Sequence, residues 1–417
     1  MEKLVVKGGK KLKGEIKVNG AKNAAVAIIP AVLLASKETV VRNLPHISDT
    51  RLLVDILKKI GAKCEFVGDI LSVSDTKINE YKFEFDEVSK MRASYYFIGA
   101  LLGRYRKVEL PLPGGCNLGS RPIDQHIKAF EMLGAAVKIE HGLIKVEAKK
   151  LVGTKIYLDV VSVGATINTM LAAVLAQGET IIENVAKEPH VVDVADFLNK
   201  MGAKVQGAGT DIIKIEGVEK LGGCTHTVIS DQIEAGTYMV AAAISDGDIT
   251  IKNINPKHME SITAKLREAN VEIIEIKDTI RVVGKGELKG INVKTLPHPG
   301  FPTDMQSQMG ALLSIANGTS MITETIWSNR FKYTDELNRM GANIKAEGNV
   351  AVIKGVEKLT GAKVKAPDLR GGVALVLAGL VAEGETEVSE IEHIDRGYEE
   401  IEVKLNSLGA NIRRIES

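Results

Sequence analysis

The arginines of this chain mark places where anionic ligands could bind. Only 14 of the 54 basic residues are arginine, and none lies between Pro122 and Leu266. Several stand where helices are predicted to begin, at Arg92, Arg121, Arg330, Arg370 and Arg396. A guanidinium binds phosphate or carboxylate through two parallel hydrogen bonds, and a helix N-terminus adds unpaired N–H groups. Any one of them could instead form a structural ion pair, but Arg121, Arg370 and Arg396 together favour an anionic ligand.

Cys116 lies in a segment, residues 111–122, that is rich in proline and glycine. This composition predicts a mobile surface loop, since it can continue neither a helix nor a central strand. Arg121 follows five residues later, and a nearby cation makes a thiol more reactive. Cys116 could therefore be a nucleophile, a general acid or a redox sensor. Cys64 and Cys224 are predicted to be small buried apolar side chains.

Asp304 is the third candidate, in the motif Phe301-Pro-Thr-Asp-Met-Gln306 at a predicted helix start. Taken alone, its position favours a helix cap or a first-turn acid, and the same interpretation applies to Asp49, Asp231 and Asp368. Trp327 and the eight histidines show neither metal-ligand spacing nor a catalytic triad. The sequence has no glycine-rich phosphate loop at a strand–helix junction, which argues against triphosphate hydrolysis and dinucleotide chemistry.

The composition narrows the class of protein further. The 417 residues are 45% hydrophobic and 26% charged, with a formal net charge of +1. The balance argues against nucleic-acid binding, which needs a basic excess, and against disorder. Three cysteines are too few for a disulfide framework, and we see neither a signal peptide nor an apolar run of about 18 residues. These features predict a cytoplasmic α/β protein that does not bind membranes.

The elements that must position the candidate residues recur along the chain. Glycines that end amphipathic stretches return at steps of 68 to 73 residues, with one degenerate copy at Asn270: Gly61, Gly134, Gly202, Gly341 and Gly409. Each repeat has an apolar helix, a β-rich stretch, an amphipathic helix that stops at the glycine, and a strand pair. Six repeats predict two lobes of three, with apolar helices inside, sheets outside and a cleft between the lobes.

The first helices of the six repeats begin with different residues: Lys22, Arg92, Gly164, Glu234, Asp304 and Arg370. If the repeat alone determined these positions, the residues would be alike. Their divergence predicts one asymmetric site built at the helix starts.

Several motifs, in order along the whole chain, resemble the enolpyruvyl transferases that use UDP-N-acetylglucosamine: Gly20–Ala24, Pro113–Cys116, Arg121–Asp124, Ser162–Thr166, Phe301–Gln306, Glu324–Arg330 and His393–Tyr398. The resemblance implies an inside-out α/β barrel of two lobes, each with three βαβαββ repeats. One lobe would comprise residues 21–229 and the other residues 1–20 and 230–417, with the active site in the cleft.

The resemblance also implies the reaction. The enolpyruvyl group of phosphoenolpyruvate would pass to the 3-hydroxyl of UDP-N-acetylglucosamine with release of phosphate, the first committed step of peptidoglycan synthesis, without metal or organic cofactor. Phosphoenolpyruvate would contact Lys22, Asn23, Arg121, Arg370 and Arg396. UDP-N-acetylglucosamine would contact Arg92, Arg121, Pro122, Ile123, Asp124, Gln125, Val160, Val161, Ser162, Val163, Asp304 and Ile326.

Three of these residues would be catalytic by resemblance. Lys22 would act beside phosphoenolpyruvate, and Asp304 would deprotonate or orient the sugar hydroxyl. Cys116 would protonate C3 of the enolpyruvyl group, could bond C2 as a covalent phosphoenolpyruvate adduct, and would be the target of fosfomycin.

Two alternatives remain. A shikimate-3-phosphate enolpyruvyl transferase would share the repeats, but its loop lacks the Pro-Gly-Gly-Cys motif. A non-enzymatic six-repeat scaffold resembling a DNA clamp would need a basic lining, which the net charge opposes. Val160 and Gln232 replace a lysine and an arginine of some family members, which would affect nucleotide contacts. The sequence assigns no oligomeric state and does not separate paralogues.

Overall fold

The computed structural model describes residues 2–83, 88, 91–112 and 123–416. The described residues divide into two compact units. The first unit lies within residues 20–229, and the second is made of residues 2–19 and 230–416. No described helix is both long and apolar enough to cross a lipid bilayer.

The first unit carries three sheets around its helices. Its described helices are α1 (Lys22–Ala31), α2 (Ser48–Lys59), α3 (Tyr96–Tyr105), α4 (Asp124–Met132), α5 (Val163–Ala173) and α6 (Pro189–Lys200). Its described strands are β3 (Thr39–Arg42), β4 (Lys63–Val67), β5 (Ile70–Asp75), β6 (Lys107–Pro111), β7 (Ala136–Glu140), β8 (Leu143–Glu147), β9 (Lys155–Tyr157), β10 (Glu179–Glu183), β11 (Lys204–Gln206), β12 (Ile212–Glu216) and β13 (Thr225–Thr227). The sheet orders are β13-β3-β5-β4, β6-β8-β7 and β11-β12-β10-β9.

The second unit repeats this plan and includes both ends of the described chain. Its helices are α7 (Gln232–Ile244), α8 (Glu260–Glu268), α9 (Gln306–Leu313), α10 (Tyr333–Arg339), α11 (Leu369–Gly379) and α12 (Ile401–Ser407). Its strands are β1 (Glu2–Lys7), β2 (Lys13–Lys17), β14 (Asp248–Lys252), β15 (Glu272–Ile276), β16 (Thr279–Val283), β17 (Asn292–Lys294), β18 (Thr319–Thr323), β19 (Asn343–Glu347), β20 (Val350–Lys354), β21 (Lys363–Lys365), β22 (Glu385–Ser389) and β23 (Ile412–Glu416).

Its sheets have the orders β21-β22-β1-β23, β15-β16-β14-β2 and β17-β18-β20-β19. Strand β1 lies between β22 and β23 and is antiparallel to both, with Leu4 opposite Val388 and Arg414. The first strand of the chain is therefore held by the last repeat.

The apolar helices lie inside each unit, as predicted. Helix α3 packs against α1 and α5, while α7, α9 and α11 pack against one another. Every residue of α11 from Arg370 to Gly379 is buried. Strands alternate buried and exposed residues, so each sheet covers the helices with one face. Close approach depends on glycine at one contact, where a Cβ on Gly99 would lie 2.5 Å from the carbonyl oxygen of Asn168.

The predicted helix ends are confirmed at the recurring glycines. The five glycines have φ between 90° and 110°, and Asn270, the degenerate copy, has φ 73°. This left-handed conformation ends a helix and is readily adopted by glycine and asparagine. One local signal therefore stops the second helix of every repeat.

Candidate active site

The divergent residues stand at the starts of the six central helices. Lys22 is the first residue of α1, while Arg92 opens a 3₁₀ turn that leads into α3. Gly164, Glu234 and Arg370 lie in the first turns of α5, α7 and α11, and Asp304 lies in the 3₁₀ turn before α9. Such ends present backbone N–H groups that the helix itself leaves unpaired. The fold therefore places these six different residues at equivalent helix starts, although at α5, α7 and α11 a capping side chain already accepts some of these N–H groups.

Asp304 is held between two arginines of the second unit. One carboxylate oxygen lies 3.1 Å from Nη2 of Arg330, and the other lies 3.0 Å from Nη2 of Arg370. The Asp304 side chain is 26% exposed, whereas those of Arg330 and Arg370 are 3% and 4% exposed. Two buried guanidiniums therefore fix the orientation of this carboxylate, and about a quarter of its side chain remains accessible to a ligand.

Arg370 is fixed by several further contacts. Its Nη1 donates to the hydroxyl oxygen of Tyr398 at 3.2 Å, and its guanidinium carbon lies 5.5 Å from the centre of the Tyr398 ring. The carboxylate of Asp368 caps α11 and accepts the backbone N–H of Arg370 at 2.9 Å. Burial is the largest single influence and lowers the pKa of Arg370, but Asp304, Tyr398 and Asp231 together outweigh it, and the net pKa is raised. This guanidinium is therefore a permanent cation with a defined direction.

Arg396 belongs to the 394–398 turn, which packs against the start of α11. Gly397 of this turn lies against Leu369, where a Cβ would come within 2.7 Å of the leucine side chain. Arg396 is half-buried, and Tyr398, two residues later, is buried and accepts a hydrogen bond from Arg370. The fold thus puts the predicted phosphoenolpyruvate ligands Arg370 and Arg396 on two segments that touch.

Ile326 is attached to the Asp304 region through Glu324. The buried Glu324 carboxylate accepts the backbone N–H of Ile326 at 2.8 Å and the hydroxyl of Thr303 at 2.9 Å. Because Thr303 directly precedes Asp304, this carboxylate joins the two segments. The predicted sugar-nucleotide residues Ile326 and Asp304 therefore belong to one hydrogen-bonded substructure.

In the first unit, Lys22 forms a buried ion pair with Asp49. Its Nζ lies 2.9 Å from Oδ2 of Asp49, which stands in the first turn of α2. The start of α1 is fixed further because the backbone N–H of Ala21 donates to the carbonyl of Ile229 at 2.7 Å. Asn23, the second residue of α1, is half-buried. Asp49 therefore orients the lysine as well as occupying the helix start that the sequence assigned to it.

Gln125 connects two predicted nucleotide-binding segments. Its Oε1 accepts the backbone N–H of Asp159 at 2.8 Å, and its Nε2 donates to the carboxylates of Asp124 at 2.8 Å and Asp159 at 3.1 Å. Asp159 precedes the exposed Val160 and Val161. Ser162 follows and caps α5, and Val163 is the first residue of that helix. The structure therefore brings residues 123–125 and 160–163 together, and the side chain of Gln125 is engaged within the protein.

A buried histidine explains the glycine at the start of α5. The imidazole of His126 fills the space beside Gly164, where a Cβ would lie 3.0 Å from the ring. Its Nδ1 is 3.1 Å from the amide nitrogen of Asn168. Burial, with a smaller contribution from the nearby charge of Arg92, lowers the pKa of His126 to about 3. The guanidinium of Arg92 also lies 5.6 Å from the centre of the Tyr95 ring.

Three predicted residues lie outside the described residues. These are Cys116, Arg121 and Pro122, together with the rest of the loop at residues 113–122. The other two cysteines, Cys64 and Cys224, are half-buried rather than fully buried. Burial raises the pKa of each of their thiols, which leaves little of the reactive thiolate near neutral pH.

Three contact residues were not identified as partners by sequence reasoning. Asp49 had only its helix-start signal, Arg330 was a candidate anion-binding residue at a helix start, and Tyr398 stood inside a recognised motif without an assigned role. Their contacts span 26 residues between Asp304 and Arg330 and 28 between Arg370 and Tyr398, and no local pattern predicts such pairs. Among residues that the structure describes, no group of three or more His, Cys, Asp or Glu side chains is arranged to hold a metal ion.

The chain matches known proteins along its whole length. A family model described as EPSP synthase (3-phosphoshikimate 1-carboxyvinyltransferase) matches residues 6–405. A protein of Clostridium botulinum (strain ATCC 19397 / Type A), named UDP-N-acetylglucosamine 1-carboxyvinyltransferase, is 58% identical over 417 residues, covering 100% of both chains. A protein of Bacillus subtilis (strain 168), named UDP-N-acetylglucosamine 1-carboxyvinyltransferase 2, is 55% identical over 415 residues, covering 99% of this chain and 97% of that one.

Solved structures share the fold. An enolpyruvyl transferase, NikO from Streptomyces tendae, superposes with a TM-score of 0.90 at 24% identity and covers 100% of this chain and 99% of that one. An EPSP synthase from Acinetobacter baumannii superposes with a TM-score of 0.78 at 19% identity, covering 100% of both. At these identities the likeness shows the fold alone, and it confirms the predicted fold class.

Proposed function

The chain belongs to the enolpyruvyl transferase family, and on this premise we propose that it transfers the enolpyruvyl group of phosphoenolpyruvate to UDP-N-acetylglucosamine. It is a transferase, and the two curated relatives described above carry the name of this activity. The acceptor is the 3-hydroxyl of the sugar, and phosphate is the second product. This reaction commits UDP-N-acetylglucosamine to peptidoglycan synthesis, and we expect it to take place in the cytoplasm.

The observation that carries the proposed chemistry is the ion pair between Asp304 and Arg370. An acceptor hydroxyl needs a carboxylate to take or orient its proton, and phosphoenolpyruvate needs cations for its phosphate and carboxylate. The 3.0 Å contact puts a carboxylate and a buried guanidinium side by side. A hydroxyl on Asp304 and an anion on Arg370 would therefore be close enough to react.

Arg370 is shared between Asp304 and the anionic substrate in this proposal. When the oxygens of phosphoenolpyruvate bind the guanidinium of Arg370, Asp304 still has Arg330 as a partner. In the structure, Nη2 of Arg330 lies 3.1 Å from the Asp304 carboxylate. Asp304 and the anion on Arg370 are then held side by side when both substrates are present.

The reaction then proceeds by addition and elimination. The sugar oxygen bonds to C2 of the enolpyruvyl group while Asp304 takes or orients its proton, and Cys116 supplies the proton that C3 gains. The resulting tetrahedral intermediate loses phosphate from C2 and a proton from C3, which restores the double bond in the enolpyruvyl ether. Lys22, Asn23, Arg121, Arg370 and Arg396 hold the phosphate and the carboxylate throughout.

The sugar nucleotide would contact the remaining site residues. We assign it to Arg92, to residues 121–125, to residues 160–163 and to Ile326, with Asp304 at the reacting hydroxyl. The connection that Gln125 makes between residues 123–125 and the loop before Val160 supports this assignment for the first unit.

The test is a comparison of acceptors with the purified protein. Phosphate release from phosphoenolpyruvate is measured with UDP-N-acetylglucosamine, with shikimate 3-phosphate and without acceptor, and the products are weighed by mass spectrometry. We expect release and an enolpyruvyl ether with the sugar nucleotide alone. Turnover of shikimate 3-phosphate, the acceptor that the description of the matching family model implies, would overturn the proposed acceptor. Inactivity with both would overturn the proposed reaction.

A further inference from the structure

Arg414, three residues before the C-terminal residue, is surrounded by carboxylates. Its guanidinium has five N–H groups, and the second unit supplies five matching contacts. Nη1 and Nη2 donate to the two oxygens of Asp395 at 3.0 and 2.7 Å, and Nε and Nη2 donate to Glu402 at 2.6 and 3.3 Å. Nη1 also donates to Glu2 at 3.0 Å. This arginine therefore forms ion pairs with three acidic side chains of the protein.

Asp395, which accepts two hydrogen bonds from Arg414, directly precedes Arg396 in the chain. Asp395 and Arg396 belong to the 394–398 turn, which is anchored on its other side by the contact of Gly397 with Leu369 and by the hydrogen bond from Arg370 to Tyr398. Arg414 therefore supplies the second anchor of this turn, through Asp395. The position of Arg396 depends on both anchors.

Besides anchoring the turn, Arg414 neutralises the negative charge of Asp395. Asp395 and Glu402 are 31% and 11% exposed, so both carboxylates are partly removed from water. An unneutralised carboxylate at Asp395 would attract the adjacent Arg396 and would repel an anion bound there. A bidentate guanidinium on Asp395 offsets that charge and directs its oxygens toward β23.

We propose that Arg414 is a positioning residue for phosphoenolpyruvate, which neutralises Asp395 and holds the 394–398 turn so that Arg396 can bind the anionic substrate. The inference rests on the proposed function, because it takes Arg396 as a ligand of phosphoenolpyruvate. Arg414 itself touches no substrate.

The first experiment compares Arg414→Gln with Arg413→Gln in the full chain. Arg413 precedes Arg414 on the same strand and pairs with Glu385 on the surface, so it controls for the loss of an arginine from β23. We expect Arg414→Gln to raise KM for phosphoenolpyruvate about tenfold, because a charge-assisted hydrogen bond is worth roughly that much. KM for UDP-N-acetylglucosamine should change less than about twofold, and Arg413→Gln should match the wild type. An equal rise in KM for phosphoenolpyruvate and for UDP-N-acetylglucosamine in Arg414→Gln would overturn the inference.

The second experiment removes the charge that Arg414 is proposed to neutralise. Asp395→Asn is added to Arg414→Gln, and the double variant should recover a KM for phosphoenolpyruvate within about threefold of the wild type. A purely structural role predicts the opposite, a double variant at least as impaired as the single one, and that result would also overturn the inference. If Arg414→Gln does not fold, as judged by circular dichroism, the KM comparison with Arg413→Gln uses Arg414→Lys, which loses the two parallel hydrogen bonds to Asp395. A KM for phosphoenolpyruvate equal to that of Arg413→Gln would then overturn the inference.

Direct binding separates this inference from the proposed function. Calorimetric titration with phosphoenolpyruvate alone, without the sugar nucleotide, measures the affinity of each variant without turnover. An inactive wild type would defeat the proposed reaction alone. An unchanged affinity for phosphoenolpyruvate in the folded Arg414 variant would defeat the inference alone.

Discussion

At the scale of single residues, Asp304 shows how charge is arranged in the candidate site. Two buried guanidiniums hold its two oxygens, and about a quarter of its side chain remains exposed, at 26%. A carboxylate in this position can orient a hydroxyl through its open side while the arginines prevent rotation of the side chain. The same arginines would bear an unpaired positive charge if the carboxylate were removed, so the residue serves both stability and chemistry.

The first prediction concerns Asp304→Asn, which keeps the shape of the side chain but removes its charge. We expect kcat to fall by roughly 10² to 10⁴, the range for losing a positioned acid or base, while the affinity for UDP-N-acetylglucosamine changes little. Steady-state kinetics and calorimetry measure the two quantities. Asp211→Asn removes an exposed partner of Lys187 and is the matched control, with no expected effect. Normal turnover of Asp304→Asn would leave the residue only a structural role.

The second prediction concerns Cys116 and separates proton delivery from nucleophilic reactivity. Cys116→Asp should retain measurable turnover, since a carboxylic acid can supply a proton, and should resist alkylation by fosfomycin. Cys116→Ala should be nearly inactive. Activity assays and intact-protein mass spectrometry after epoxide treatment report the two properties.

Cys64→Ala and Cys224→Ala are the controls for this set. Because burial raises the pKa of both thiols, these cysteines should not compete for the epoxide. Both variants should therefore stay active and should still be alkylated. A fully active Cys116→Ala enzyme would exclude a catalytic role for Cys116.

At the scale of secondary-structure elements, neighbouring segments within each unit hold the helix starts in place. Asp49 of α2 pairs with Lys22 of α1, and Gln125 of α4 binds the loop that leads into α5. In the second unit, Asp231 and Asp368 cap α7 and α11, so the N-terminus of each helix is fixed by a local carboxylate. The side chains that would meet substrate are thus supported by neighbours that need not touch it.

The third prediction concerns the contact between α4 and the loop at residues 158–162. Gln125→Met keeps the size of the side chain but leaves the backbone N–H of Asp159 without its acceptor. We expect KM for UDP-N-acetylglucosamine to rise by roughly 3- to 10-fold, as for a lost hydrogen bond, with KM for phosphoenolpyruvate unchanged. Lys128→Gln removes only the exposed ion pair with Asp159 and should behave like the wild type. An equal response of the two variants would contradict the connecting role of Gln125.

At the scale of the whole molecule, each unit surrounds three apolar central helices with three sheets. The relatives from Clostridium botulinum and Bacillus subtilis match over 417 and 415 residues, so all six repeats are shared with them. A core of this kind buries a few polar side chains at the helix starts. His126 is one of them, since it is buried beside Gly164 and Asn168.

The fourth prediction follows from the protonation of His126. Its pKa is about 3 in the folded protein and about 6.5 when exposed, so between these values the unfolded chain binds the extra proton. Stability from this group is therefore complete above about pH 6.5 and is lost as the pH falls, by at most ~1.4 kcal/mol per pH unit. His126→Gln should flatten the decline of the unfolding temperature between pH 6.5 and 4.5.

The control for this prediction is His141→Asn. His141 is exposed in the turn between β7 and β8 and has φ 53°, a conformation that asparagine accepts. This variant should show the same pH dependence as the wild type. If His126→Gln also declined as steeply as the wild type, acid unfolding would be governed by other groups.

Sequence by itself determined the repeats, the helix ends and the candidate residues. The glycines at positions 61, 134, 202, 341 and 409 stop helices because they accept positive φ, and that preference is local to a few neighbouring residues. The alternation of strands and the apolar runs of the central helices are likewise readable over short stretches, so the inside-out arrangement could be predicted. The motifs were enough to recognise the family.

Tertiary structure alone decided which of these residues meet. Arg370 contacts a carboxylate 66 residues away, Arg414 binds an acid 412 residues away, and β1 pairs with β22 and β23. Such contacts depend on how helices and sheets pack, and packing is set by the shapes of many distant side chains at once. A sequence pattern covers one or two turns of a helix, so it identified Asp304 as the start of a helix but not as a carboxylate between two arginines.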